Sequence, residues 1–178
     1  MLFDRDATLV VDVPYNHDPR LVEPMPTALV AVQALRSAGV PLGVVSNQSG
    51  VARGLITPAQ LDAVNARVDE IFGGFDTWQV CPHGTEDGCP CRKPQPGLVL
   101  AAAADLGVAP ADVVVVGDIG SDLGAAAAAG ARGVLVPTPV TRHEEIAEAP
   151  LVAATLAEAV ELILGLPRSR SSPVSTPG

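Results

Sequence analysis

Five short Val-rich runs alternate along this chain with Ala-rich stretches of helical length, and four of the five runs end on a polar, chemically capable residue. Strands buried on both faces read as continuous apolar runs, and the helices between them must cover those faces. The pattern therefore predicts an α/β architecture around a mostly parallel sheet. The strand candidates are 1–3, 41–45, 78–80, 113–116 and 133–136, and the helices fall near 27–37, 58–72, 97–106, 123–129 and 156–164. Thr57 can cap the helix whose first position is Pro58, and Gly39 and Gly107 sit where helices should stop. With 3% aromatic residues, the core has to be assembled from Val, Leu, Ala and Ile, and 178 residues suffice for one such core. Only three residues precede Asp4 in the first run, whereas a central strand usually holds about five or six. Either that strand is short, or a few native residues are missing from the start.

Charge and patterning exclude several classes. The formal net charge is -9, and no stripe of Lys and Arg is available to follow a nucleic-acid backbone. Charges or turns interrupt every apolar stretch before it reaches the length of a membrane span, and the N-terminus lacks a secretory signal pattern. Three cysteines clustered beside a histidine fit metal binding in a reducing compartment, so the cytoplasm is the expected location, and a monomer is the expected state of an acidic single domain. Residues 167–178 are rich in Ser, Pro and Arg and are expected to form a disordered tail after a domain spanning 1–166.

In an open parallel sheet, ligands gather at the carboxyl ends of the strands. Asp4 and Asp6 follow the first run, Ser46 and Asn47 the second, Cys81 the third and Asp118 the fourth. Two carboxylates at i and i+2 suit a nucleophile paired with a proton-exchanging group; a solvated strand end or a plain cation site has the same letters. Ser46-Asn47-Gln48-Ser49-Gly50 can cradle phosphoryl oxygens or be ordinary turn chemistry. Arg53 can reach a second anion or a sugar hydroxyl, or simply face solvent. Asp118 suits Mg²⁺, which prefers hard oxygen ligands, while Asp122 either supports that ion or caps the following helix. His143-Glu144-Glu145 reads as helix surface, and His17 and Tyr15 lie in a loop that can border a substrate.

Cys81-Pro82-His83 and Cys89-Pro90-Cys91 form a C-x-H…C-x-C loop. Thiolates plus an imidazole make a tetrahedral zinc set with no position left for a water nucleophile, so such a metal would be structural. Arg92 and Lys93 follow at once, and Pro94 and Pro96 restrict the chain that aims them. Lys93 can present its ammonium to a carboxylate and a phosphoryl group, and Arg92 offers a rigid fork. With only 11 Lys plus Arg in the chain, placing two beside a stapled loop favours function over a solvated turn.

Taken together, Asp4-Arg5-Asp6-Ala7-Thr8, Ser46-Asn47-Gln48-Ser49-Gly50, Arg92-Lys93-Pro94 and Gly117-Asp118…Asp122 resemble the ordered motifs of haloacid-dehalogenase-type phosphatases. The Cys/His loop is similar to that of the branch holding D-glycero-D-manno-heptose 1,7-bisphosphate 7-phosphatase and the histidinol-phosphate phosphatase domain. This resemblance implies a single Rossmann-like three-layer domain with no separate cap domain and a zinc-stapled loop. It implies Mg²⁺-dependent hydrolysis of a small phosphorylated sugar through an aspartyl-phosphate, with removal of the C7 phosphate of the heptose bisphosphate as the leading activity. Histidinol phosphate hydrolysis, or a weakly active phosphate-binding regulatory domain, is the alternative; a zinc-stapled interaction module would leave the aspartates unexplained. By resemblance, Asp4 attacks phosphorus, Asp6 is the acid/base, and Ser46 and Lys93 steady the phosphoryl group. Asn47, Arg53 and Arg92 border the substrate. Asp4, Asp6 (through its carbonyl) and Asp118 hold Mg²⁺, and Cys81, His83, Cys89 and Cys91 hold structural Zn²⁺. Ala7 departs from the glycine usual in the first motif. If that position needs positive φ, its methyl costs roughly 1–2 kcal/mol and bears on the aim of Asp6.

Overall fold

A computed structural model describes residues 1–165; the expected tail at 167–178 and the last position of the expected domain lie outside the described residues. Five parallel strands, β1 (Leu2–Phe3), β2 (Gly43–Asn47), β3 (Thr77–Cys81), β4 (Val114–Gly117) and β5 (Arg132–Leu135), lie in the order β3-β2-β1-β4-β5. Six helices accompany them: α1 (Ala28–Ser37), α2 (Pro58–Phe72), α3 (Gly97–Asp105), α4 (Gly120–Ala128), α5 (His143–Glu148) and α6 (Leu156–Gly165).

Alternation within each strand splits the core into two layers. Phe3, Val44, Val114, Val116 and Val134 pack with residues of α1, α2 and α6. Leu2, Val45 and Val115 point the other way, into α3 and α4. The sheet is therefore covered on both sides, as runs without polar alternation require. The two residues of β1 are central nonetheless: Leu2 and Phe3 pair with Gly43 and Val44 on one side and with Val115 and Val116 on the other. Both are fully buried, which contributes about 1.5–3 kcal/mol for each side chain.

The expected boundaries hold within a few residues, and the deviations have causes. Thr57 and Gln60 form a reciprocal cap at the start of α2, beside Pro58. Gly39 and Gly107 follow α1 and α3 with φ of +68° and +64°, the left-handed conformation that ends a helix without steric penalty. The strand β2 runs two residues further than expected because Ser46 and Asn47 stay in register with Val80 and Cys81. The helix α4 begins at Gly120, ahead of the expected 123, so Asp122 sits inside its first turn. Above the carboxyl ends of the strands the connections are loops with single 3-10 turns at Pro19–Leu21 and Thr85–Asp87. No helix among the described residues is long and apolar enough to cross a membrane.

Candidate active site

The chain runs from β1 outward to β2 and β3, then crosses back to β4 on the other side of β1. A crevice opens at such a reversal, outside the carboxyl ends of the two diverging strands. Asp4 leaves β1 into this crevice and Asp118 leaves β4; the Asp4 N–H still bonds the Val116 carbonyl at 2.9 Å, which fixes the height of the first carboxylate. The crevice is a cleft of about 900 Å³ whose walls include Asp4, Asp6, Asn47, Arg92, Lys93 and Asp118.

Lys93 is the hub. Its Nζ donates to Asp4 Oδ1 at 2.6 Å, to Asp122 Oδ1 at 2.5 Å and to the Val45 carbonyl at 2.8 Å, and its side chain is 2% exposed. Burial alone would lower its pKa, but the carboxylates of Asp122 and Asp4 outweigh that and hold the ammonium charged. Asn47 fixes the backbone carrying it: its amide accepts from the Lys93 N–H at 3.0 Å and donates to the Lys93 carbonyl at 3.1 Å. The next peptide bond, Lys93–Pro94, is cis.

Carboxylate oxygens of Asp4, Asp118 and Asp122 all lie within 4.8 Å of one another. Burial pushes the Asp4 carboxyl up to about 8, with Lys93 pulling against it, and burial followed by Asp122 pushes Asp118 up to about 7. Three acidic groups facing one ammonium make a site short of positive charge, and its hard oxygens are those that a divalent cation takes. Asp122 caps the following helix, one oxygen accepting from the Ile119 N–H at 3.3 Å at the head of α4, while its other oxygen accepts from Lys93. Gly117 makes the approach possible, because a Cβ there would lie 2.2 Å from the Asp122 carboxylate. Thr141, from the loop after β5, donates to the Asp118 carbonyl at 2.7 Å and steadies the end of β4.

Asp6 stands beside this group on the cleft wall. It accepts from buried Arg5 through both oxygens at 3.0 Å and from Gln48 Nε2 at 2.7 Å. The same Gln48 amide donates to Ser46 Oγ at 2.9 Å, and Ser46 lies buried under the cleft. Ala7, next in the chain, has φ of +57°, so the methyl does sit in the left-handed region. Arg92 lines the cleft and donates to the His83 carbonyl at 3.2 Å. Arg53 stands apart from the cleft lining, with its guanidinium hydrogen-bonded to the Tyr15 hydroxyl and 5.8 Å from that ring's centre. His17 is exposed.

The four expected thiol and imidazole ligands converge. Cys91 Sγ lies 3.2 Å from Cys81 Sγ, 3.3 Å from Cys89 Sγ and 3.3 Å from His83 Nδ1; Cys81 lies 3.5 Å from Cys89 and 3.6 Å from His83. These separations are far beyond the roughly 2 Å of a disulfide and resemble the edges of a ligand tetrahedron, so the cluster can chelate a metal. Burial pushes the Cys81 thiol up to about 12 and raises Cys91 as well, whereas at Cys89 burial is outweighed by hydrogen bonds with Cys91 and the Arg92 backbone, which bring that thiol down to about 7.

Sequence reasoning placed Asp4, Asp6, Asn47, Arg92, Lys93 and Asp118 on the cleft and the Cys/His set in one cluster. It missed Arg5 and Gln48, whose letters carry no sign of burial, and left Asp122 undecided. A second cavity, of about 880 Å³, lies beyond Pro94, Ile119 and Ser121; its charges at Arg142 and Glu145 are paired with each other.

Comparison with known proteins agrees with this chemistry. The HAD-hydrolase-like family model matches residues 90–160. The D-glycero-beta-D-manno-heptose-1,7-bisphosphate 7-phosphatase of Pseudomonas aeruginosa is 38% identical over 144 residues, covering 78% of this chain and 80% of the relative. The enzyme of the same name from Pasteurella multocida is 33% identical over 93% of this chain and 97% of its own length. The crystal structure of D,D-heptose 1,7-bisphosphate phosphatase from B. bronchiseptica, complexed with magnesium and phosphate, superposes with a TM-score of 0.80 at 34% identity, covering 92% of this chain and 97% of the other. The chain is an enzyme of the haloacid-dehalogenase (HAD) superfamily of phosphatases and belongs to its D-glycero-D-manno-heptose-1,7-bisphosphate 7-phosphatase family.

Proposed function

We propose that this phosphatase removes the C7 phosphate of D-glycero-D-manno-heptose 1,7-bisphosphate in a Mg²⁺-dependent reaction through an aspartyl-phosphate on Asp4. The observation that carries the reading is the Lys93 ammonium, 2.6 Å from Asp4 and surrounded by carboxylates that fit a divalent ion. The relatives named for this substrate, and the related structure holding magnesium and phosphate, support the choice of sugar and ion.

Asp4 attacks phosphorus while Asp6 protonates the departing sugar oxygen; Asp6 then takes a proton from the water that breaks the acyl-phosphate. Lys93 and Ser46 steady the phosphoryl oxygens, with Asn47 acting through its grip on the Lys93 backbone. Arg92 and, further out, Arg53 border the sugar. Asp4, the Asp6 carbonyl and Asp118 would hold Mg²⁺, whose charge offsets that of the phosphoryl oxygens in a site already rich in carboxylates. The Cys81, His83, Cys89 and Cys91 cluster would hold Zn²⁺ structurally, fixing the loop from which Arg92 and Lys93 project. The fold is taken as a single domain whose loops shape an open pocket without a separate cap.

One observation favours the other reading, a weakly active phosphate-binding domain: the left-handed Ala7 beside Asp6, strained by roughly 1–2 kcal/mol. Phosphate release from heptose bisphosphate and from histidinol phosphate, compared with Mg²⁺ present, tests both. The proposal expects preferential turnover of the heptose, abolished in Asp4→Asn, with Ala7→Gly raising kcat. Preference for histidinol phosphate would replace the substrate. Negligible turnover of either, in the parent chain and in Ala7→Gly alike, would favour the binding domain.

A further inference from the structure

We propose that Arg5 is a positioning residue that sets the plane and place of the Asp6 carboxylate for proton transfer, an inference that rests on the acid/base reading of Asp6. Arg5 is 2% exposed, yet it spends two of its arms on its own chain neighbour: Nε reaches Asp6 Oδ1 and Nη2 reaches Asp6 Oδ2, each at 3.0 Å. The third arm, Nη1, donates to Asn65 Oδ1 of α2 at 2.6 Å. A buried guanidinium is expensive unless it is fully paired, and here the pairing runs outward from the protein body to a carboxylate 29% exposed on the cleft.

An aspartate carboxyl rotates broadly about its last torsion. A planar fork bonded to both oxygens removes that freedom in a way a point charge does not. Asn65 holds the far end of the fork, so α2, which contributes no residue to the cleft lining, reaches the chemistry through one guanidinium. Gln48 holds Asp6 Oδ2 from the β2 side and links it to Ser46. Every hydrogen bond to Asp6 is thus donated from a side chain that is itself anchored.

The reaction fixes what a loose Asp6 would do. In the first half, an Asp4 oxygen bonds to phosphorus, the bond from phosphorus to the sugar oxygen breaks, and that oxygen takes a proton from the Asp6 carboxylic acid. In the second half, water oxygen bonds to phosphorus, its proton goes to the Asp6 carboxylate, and Asp4 leaves as a carboxylate. p-Nitrophenolate departs without a proton, so its first half does not need Asp6, while its second half still does.

The test compares heptose bisphosphate with p-nitrophenyl phosphate, with Mg²⁺ present. In Arg5→Lys, which keeps the charge and loses the fork, kcat on the heptose should fall on the order of 10²-fold with KM little changed. The same variant should release one equivalent of p-nitrophenolate per enzyme in a rapid burst and then turn over slowly. Asn65→Leu should show the same pattern more weakly, and it carries the test should Arg5→Lys fail to fold. Asp6→Asn is the control and should show the burst. A burst in Asp6→Asn but in neither of the others, or equal losses on both substrates without a burst, would overturn the role of Arg5. A missing burst in Asp6→Asn would instead overturn the acid/base reading, and the inference with it.

Discussion

Two clusters of side chains able to hold a metal stand within one loop of each other, and they are built on different electrostatic plans. In the carboxylate cleft, Lys93 lies between Asp4 and Asp122, so part of the negative charge is balanced by the protein itself. In the Cys/His cluster no side-chain cation among the described residues is hydrogen-bonded to the sulfurs; burial pushes Cys81 up to about 12, and only Cys89 is lowered, to about 7. A site with its own countercharge keeps its shape before the ion arrives. A site in which two of three thiols are held protonated acquires its full bonding only when a metal displaces those protons. The difference separates a cleft that is preorganised without an ion from a loop that a metal could finish, although both draw on residues at the carboxyl ends of strands of one sheet.

The comparison breaks most directly at Lys93. Lys93→Met leaves Asp4 and Asp122 buried without their partner, and removing one member of a buried pair costs about 3–5 kcal/mol. Urea denaturation should show that loss, with added Mg²⁺ recovering part of it; a loss no larger than that of an exposed ion pair would mean the cleft does not rely on its own ammonium. The cysteine loop should respond to metal instead. Cys89→Ser should lose zinc stoichiometry and, where zinc stands a hundredfold above its Kd, about 2.7 kcal/mol of stability, leaving Mg²⁺ binding in place. Retained zinc would contradict the tetrahedral assignment. The third outcome is a pH dependence. Asp4 and Asp118 are raised from 3.8 to about 8 and about 7, so between these values the folded state binds more protons than the unfolded one. Their contribution is fully present below about pH 3.8 and is lost as pH rises through 7 to 8. Thermal melts without divalent ions should therefore weaken from pH 6 to 8.5, and Mg²⁺ affinity should tighten over the same range as protons stop competing. Melts that are flat with pH and indifferent to Mg²⁺ would remove the charge deficit from the argument.

The parts of the molecule that could be read in the chain are those in which letters and periodicity coincide. Val113 to Val116 can be little other than a buried strand, and Asp118 after it has few places to go. The C-x-H…C-x-C spacing likewise marks four side chains that lie close enough together to chelate a metal. Boundaries that depend on pairing were harder: Ser46 and Asn47 belong to β2 because β3 is there to hold them, which no local preference reveals. The same holds for Arg5. Between two aspartates it reads as a solvated charge, and only the position of Asn65, sixty residues on, makes its burial affordable. Asn47 lines the cleft as its position at the end of β2 suggests, but the bonds of its amide to the Lys93 backbone are set by the path of a loop forty-six residues away, which no local pattern reveals.

Gly117 carries no functional group, yet the floor it leaves flat is what lets Asp122 slide in beside β4. A saturation scan of the gene should therefore find position 117 as intolerant as the aspartates themselves, even to alanine. Ranked by chemistry alone, that position would be overlooked; ranked by the room a single methyl needs, it belongs with the candidate site.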